Sequence, residues 1–590
     1  MKDFFKTMFA SALGVLVAIG VCIIAFIAVV VSMIAHVNQV SDYHPKANTI
    51  LKISLSGIIQ EDKCQDNPLD MLMGESASVQ SLKDVVEAIH TAQETPEIQG
   101  IYLESGLLPA GSATRSAIRR ALQQFRESGK FIYAYADNYS QGNYYLCSVA
   151  DSLFLNPQGL LELTGLSSQH LFYKGLLKKV GVEMQIFKVG TYKGAVEPYM
   201  LDKLSDANRE QIQSYMNDIW SQTTQAIADS RHLTVEEINR MADEGLLFQG
   251  AEASVERKLI DGLKYRPEME AFLKERVGLS TDDKLQFASV EQMLAIPKPK
   301  QSSDNQIAIL YAEGEITPAS PASRYSSESC ITEKMADELI KLRKDESVKA
   351  VVFRVNSPGG SAYISDQIWK EVVELKQVKP IVVSMGDVAA SGGYYISCAA
   401  NKIVAEPNTL TGSIGIFGMF PNMSGLLEKL DLTTDVVKTN QFADLGSPSR
   451  PMEESEKALL QAYINRGYDT FISRCAEGRG MTKEQIDAIG QGRVWTGHQA
   501  LERGLVDELG GMECAIASAA ELAHLDDYTL KHVSTAPDFL SELLEGQWSQ
   551  FQLRWVKSML GDSFETFQTL RQMQERTGIQ ARIPYDMKPL

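Results

Sequence analysis

The sequence repeats itself, and this limits the fold more than any other feature, because whatever one copy forms the other must also be able to form. NTILKISLSGIIQ (48–60) returns as NQIAILYAEGEIT (305–317), and IQGIYLESGLLPAGSATRSAIRRAL (98–122) as VKAVVFRVNSPGGSAYISDQIWKEV (348–372). GKFIYAYADNYSQGNYYLC (129–147) returns as KPIVVSMGDVAASGGYYISC (379–398), and FQGAEASVERKLIDGL (248–263) as WTGHQALERGLVDELGG (495–511). In each copy an apolar strand runs into a Gly-rich turn and then a helix-patterned stretch. That order predicts an α/β unit whose parallel strands are joined by helical crossovers. A chain of 590 residues exceeds one core, so two α/β domains are expected, at 47–297 and 306–535. The linker between them, 298–305, lies within the apolar-poor IPKPKQSSDNQ. After residue 535 the repeat ends, and Phe539, Leu543, Leu544, Trp548, Phe551 and Leu553 recur at helical spacing. Residues 536–590 are therefore expected to be a helical tail that packs on the body or a partner subunit, or that touches a membrane surface.

Between Met8 and Ala35 there is no charged residue. As a helix this run would reach about 42 Å, against a hydrocarbon core of about 30 Å, so residues 1–46 are expected to be an anchor with a transmembrane part at about 8–35. A cleavable signal peptide, the rival reading, has an apolar run of only about 7–15 residues. Lys2 and Lys6 precede the run, which places the N-terminus in the cytoplasm and the remaining chain outside. The formal charge of −18 and the lack of a basic stripe exclude nucleic acid as a partner. Seven scattered cysteines without metal-ligand spacing predict no metal site and define no disulfide. Cys147 and Cys398, each following a Tyr-Tyr pair in an apolar run, are expected to be buried small hydrophobes.

GDVAASGGYYIS (386–397) places Ser391 bare among alanines and glycines. It is either a small residue that lets a helix pack closely or a nucleophile, and a nucleophile needs a base and oxyanion donors. Donors are available in VNSPGGSAY (355–363), where Gly359 and Gly360 follow a buried strand and leave backbone N–H groups open, although an ordinary strand-to-helix turn reads the same way. No histidine supplies the base: the eight are scattered without a matching Asp motif, and His498 aligns near Ala251 of the first copy. The repeat offers a lysine instead. Matching Tyr144-Tyr145 to Tyr394-Tyr395 sets a shift of 250, which places Gln141 opposite Ser391 and Ala443 opposite Lys193 of FKVGTYKGAVEPY (187–199). One copy keeps the serine and the other the lysine, as a composite site would require, although surface lysines are common enough for chance to produce this.

GTYKGAVEP, NSPGGS, GDVAASGGYYIS, LTGSIGIFG and GRVWTGHQALERGLVD, together with the anchor and the two-copy layout, resemble the long tandem form of the signal peptide peptidase (SppA) family, membrane-anchored serine peptidases. The resemblance implies a Ser-Lys dyad with Ser391 as nucleophile and Lys193 as general base. It implies that Ser413 holds the lysine amine, and that Gly359 or Gly360 together with Gly392 form the oxyanion hole. It further implies a ClpP/crotonase-like fold in each half and no cofactor. A homo-oligomer, a tetramer, on the outer, periplasmic face of the bacterial cytoplasmic membrane is implied too, acting on signal peptides left in the bilayer. A crotonase-like acyl-CoA enzyme and a catalytically silent membrane scaffold are the rival readings.

Overall fold

The computed structural model describes residues 42–62, 79–298, 303–319, 330–533 and 578–582, together with Gly14 and Val21. Its first sheet runs, in spatial order, Gly262–Leu263, Ser152–Leu155, Phe131–Ala136, Ile98–Ser105, Thr49–Leu55 and Gln286–Ala288, every neighbour parallel. A second sheet repeats the order with Glu508–Leu509, Lys402–Ala405, Ile381–Ala390, Val348–Ser357, Gln306–Glu313 and Thr529–Val533. Three of the four inner strands keep the 250-residue shift, from Ile98 to Val348, Phe131 to Ile381 and Ser152 to Lys402. Their near-continuous burial is what helices on both faces of a parallel sheet impose.

Side-chain bolts are duplicated as well. Tyr144 donates its hydroxyl to Leu259 O (2.8 Å) and Tyr394 to Leu505 O (2.9 Å). Asp261 accepts the Leu153 amide while paired with Arg231, and Asp507 accepts the Ile403 amide while paired with Arg479. Cys147 and Cys398 are buried with free thiols, as their apolar settings suggested.

The copies differ where the second strand is longer. Ile381–Ala390 has 10 residues against 6 in Phe131–Ala136. Its extra end pairs Val388–Ala390 with Leu410–Gly412, which in turn pairs with Val494–Thr496. In the first copy a single bridge, Tyr139 to Leu161, stands at the position equivalent to Ala389 and Thr411.

A third sheet joins the halves. Its order is Cys330–Ile331, Glu315–Ile316, Gly359–Ser361, Gly578–Arg582, Phe417–Asn422 and Glu183–Lys188, so a first-half strand pairs antiparallel with a second-half strand over six residue pairs. Elsewhere between the halves Arg354 grips Glu61 bidentately (2.9 Å to each oxygen) in full burial, Arg120 grips Glu406, and Thr114 binds Asp387. Removing one member of a buried pair such as Glu61–Arg354 costs about 3–5 kcal/mol because the other charge is left stranded. The Lys298–Glu87 pair, nearly half exposed on both sides, contributes about 1 kcal/mol or less.

The expected transmembrane run at 8–35 lies, apart from Gly14 and Val21, outside the described residues, as do residues 536–577 and 583–590 of the tail. Among the described residues no helix is long and apolar enough to cross a membrane. The described part of the tail departs from the helical expectation: Gly578–Arg582 is a strand, because two open strand edges, Gly359–Ser361 and Phe417–Met419, take up its backbone groups.

Glu313, at the end of its strand, accepts the Glu61 amide (3.2 Å), and burial, with the Glu61 carboxylate adding to it, pushes its carboxyl up to about 8. An unfolded glutamate titrates near about 4.3, so between the two values the folded chain holds a proton that the unfolded chain lacks. That stability is present in full below the lower value and is lost as pH rises through the upper one. The melting temperature of the wild type is therefore expected to fall more steeply between pH 5 and pH 8 than that of Glu313→Gln. Equal slopes in the two proteins refute this assignment.

Candidate active site

Ser391 sits where the strand Ile381–Ala390 turns into the helix Gly392–Ser397, with φ 55 and ψ −111. Such a conformation is strained for a residue with a Cβ. It persists because the backbone is tied on both sides: Ser391 N–H donates to Gly412 O (2.8 Å) and Tyr395 N–H donates to Ser391 O (2.8 Å). The G-x-S-x-G pattern is absent, yet the strand-to-helix elbow that this pattern usually marks is present. Gly392 occupies the first helical position, where an N–H has no intrahelical acceptor.

Lys193 reaches the same point from the other half. Its Nζ lies 2.8 Å from Ser391 Oγ and 3.1 Å from both the carbonyl oxygen and Oγ of Ser413. Ser391, Ser413 and Lys193 are all fully buried. Burial is the cause that holds the amine well below the usual lysine range, and among the described residues no carboxylate opposes it. Ser413 is itself fixed at positive φ by its N–H to Arg493 O.

The lysine stem needs clearance. Gly492, at φ 79, lies so close that a Cβ there would meet Lys193 Cβ at 2.7 Å, and a Cβ on Gly415 would meet Lys193 Cδ at 3.2 Å. Both glycines belong to the second half, so the fit of the first-half lysine is built into second-half backbone.

The three candidate oxyanion glycines divide. Gly359 and Gly360 adopt φ 96 and φ 151, conformations open to glycine. The Gly359 amide donates to Ser357 Oγ (3.2 Å), so this residue supplies room and leaves donation to its neighbours. Gly360 N lies beside Gly392, 3.1 Å from where a Gly392 Cβ would stand.

Several supporting residues were missed in the sequence. Glu197, four positions after Lys193, is buried and accepts from the Ser205 amide, the Ser205 hydroxyl and Asn208 Nδ2. Gln211 donates to Tyr192 O (2.8 Å) and accepts the Val494 amide (3.0 Å), bolting the lysine loop to the second half. Glu197 was in view inside GTYKGAVEP; the two amides sit on the amphipathic helix Asp206–Arg231, where they read as surface.

The other candidates fall elsewhere. His498 pairs with Asp218 (3.1 Å) and stays half exposed. Gln141, opposite Ser391 in the repeat, spends its side chain on Gly165 O and the Thr164 and Gly165 amides. Ala443 lies in an exposed stretch without regular structure. Among the described residues no group of three His, Cys, Asp or Glu side chains is placed to hold a metal ion.

Peptidase family S49 matches residues 124–280 and 373–526, one segment in each copy, and the Clp protease family matches 300–411. Protease 4 of Salmonella typhi is 35% identical over 545 residues, covering 89% of this chain and 86% of that protein. Protease 4 of Haemophilus influenzae is 33% identical over 537 residues, 86% of each. The chloroplastic serine protease SPPA of Arabidopsis thaliana is 33% identical over 484 residues, covering 81% of this chain and 71% of its own. With both halves matched and most of the chain aligned, the acyl-CoA and scaffold readings give way: the chain belongs to peptidase family S49, in its long tandem form with ClpP-like α/β copies, and is a serine peptidase.

Proposed function

We propose that this serine peptidase works with a Ser391–Lys193 dyad, anchored by residues 8–35, and degrades remnant signal peptides at the outer face of the bacterial cytoplasmic membrane. The observation that carries the dyad is the buried Nζ 2.8 Å from Ser391 Oγ, without a carboxylate to keep it charged. At its ordinary value of about 10.4, roughly one lysine in a few thousand is neutral at pH 7, too few for an efficient base. Burial favours the neutral amine, whose lone pair can then accept the Ser391 proton as Oγ attacks a peptide carbonyl. The amine returns that proton to the leaving nitrogen and next activates the water that releases the acyl group. Ser413, at 3.1 Å, accepts from the amine and aims its lone pair at Ser391. The Gly392 amide, with Gly360 beside it, is the donor for the oxyanion.

Ser391→Ala and Lys193→Met are each expected to lower kcat by about 10⁴-fold on a Leu-rich fluorogenic peptide, because groups that act as a unit fail together. In the wild type kcat/KM is expected to rise with pH through an inflection well below the ordinary lysine range, since activity needs the deprotonated amine. Full activity of Lys193→Met sinks the dyad.

A homo-oligomer follows from the same exchange of strands. The pair Glu183–Lys188 with Phe417–Asn422 has repeat equivalents at residues 433–438 and 167–172. Neither equivalent is a strand in the single chain, and both regions expose apolar side chains: Leu171 and Leu176 on one, Leu432, Val436 and Val437 on the other. Two different surfaces that complement each other between copies give head-to-tail contacts, which form a ring where the rotation between copies closes. Val437, 98% exposed, is the sharpest probe. Val437→Asp is expected to shift the full chain in detergent from oligomer to monomer in light scattering, and an unchanged mass argues against this surface.

A further inference from the structure

The third sheet, which joins the halves, holds a peptide-shaped occupant taken from the chain itself. Gly578–Arg582 lies antiparallel between Gly359–Ser361 and Phe417–Met419, with Gly359 opposite Arg582, Gly360 opposite Ala581 and Ser361 opposite Gln580. A strand added between two edges is held through its backbone, which tolerates many sequences, while its side chains are read individually. The register is informative. A Cβ on Gly359 would meet Ala581 O at 2.2 Å and Gly392 N at 2.7 Å, so the Ala581 carbonyl oxygen and the Gly392 amide lie on the same side of Gly359. The bond presented beside Ser391 is thus the one between Ala581 and Arg582.

On the far side of that bond Arg582 Nη1 donates to Glu315 Oε1 at 2.9 Å, with both side chains largely withdrawn from solvent. Glu315 begins the short strand Glu315–Ile316, whose Ile316 pairs with Gly360, so its carboxylate is set by the same sheet that carries the candidate oxyanion glycines. A carboxylate at a fixed place beside a peptide register discriminates by charge: it favours a cation and repels an anion.

We propose that Glu315 is a specificity-determining residue, selecting peptides with a basic side chain immediately after the scissile bond, and that Gly578–Arg582 rests in this slot as a self-ligand. This rests on the reading of Ser391 as the nucleophile. Ser391, with no solvent exposure while the slot is filled, becomes available to other peptides when the segment leaves.

The test uses the full chain in detergent and three peptides that differ only in the residue after a shared alanine: Arg, Gln or Glu. Wild-type kcat/KM is expected to fall in that order, by roughly fivefold per step, the size of a partly screened ion pair. Glu315→Gln is expected to bring the Arg to Gln ratio to about one, and Glu315→Lys to place Glu ahead of Arg, the signature of direct charge reading. Arg582→Glu, which weakens the self-ligand, is expected to lower KM for the Arg peptide. An order that is absent in the wild type, or unchanged in both Glu315 variants, overturns the proposal. Binding of the same peptides to Ser391→Ala, followed by fluorescence anisotropy, reads Glu315 without chemistry. If the binding order holds and depends on Glu315 while no peptide is cleaved by the wild type, the nucleophile reading fails and the Glu315 assignment stands.

Discussion

A lysine amine fully withdrawn from water, with hydroxyl and carbonyl oxygens around it and no carboxylate among the described residues, is costly to charge, and the central architecture of this chain serves to keep it there. The amine comes from one copy of the repeat and its surroundings from the other. Antiparallel pairing of Glu183–Lys188 with Phe417–Asn422 carries the lysine loop across, Gln211 pins it to Val494, and Gly492 and Gly415 leave the volume for its stem. Charge pairs that would be expensive to break, Arg354–Glu61 and Arg120–Glu406, hold the halves in the orientation this requires.

Division of labour between the copies then has a structural explanation. In the second copy the longer strand Ile381–Ala390 recruits Leu410–Gly412, which brings Ser413 to Ser391 through the Ser391–Gly412 backbone bond. In the first copy the same neighbourhood shrinks to one bridge, and Gln141 uses its amide to seal the loop against Gly165. A serine there would lack both the extended strand and a lysine opposite it. The exchange of strands is also unreciprocated inside one chain, which leaves Leu171 and Leu176 of one copy and Leu432, Val436 and Val437 of the other exposed.

Much of the fold was legible because parallel strands buried on both faces leave near-continuous apolar runs, and a repeat written twice can be checked against itself. The 250-residue shift read from two tyrosine pairs is the shift that three of the four inner strands keep, and the same shift sets Gln141 against Ser391 and Ala443 against Lys193. The supporting shell was not legible. Gln211 and Asn208 occupy helix positions that look solvated, Ser357 looks like an ordinary turn residue, and Gly578–Arg582 follows a helical pattern yet is a strand. Strand formation there depends on two vacant edges contributed by residues more than 150 positions away, which no local periodicity records.

The sequence by itself determined the duplicated α/β architecture, the residue types of the site and their complementary loss between copies, because local hydrophobic pattern and internal alignment are properties of the chain alone. Only the tertiary structure decided that Lys193 Nζ meets Ser391 Oγ, that Ser391 is held at a strained turn, and that the tail lies against Gly359. Those facts arise from edge pairing and burial between distant segments. Their free energy belongs to the contact and to neither segment separately.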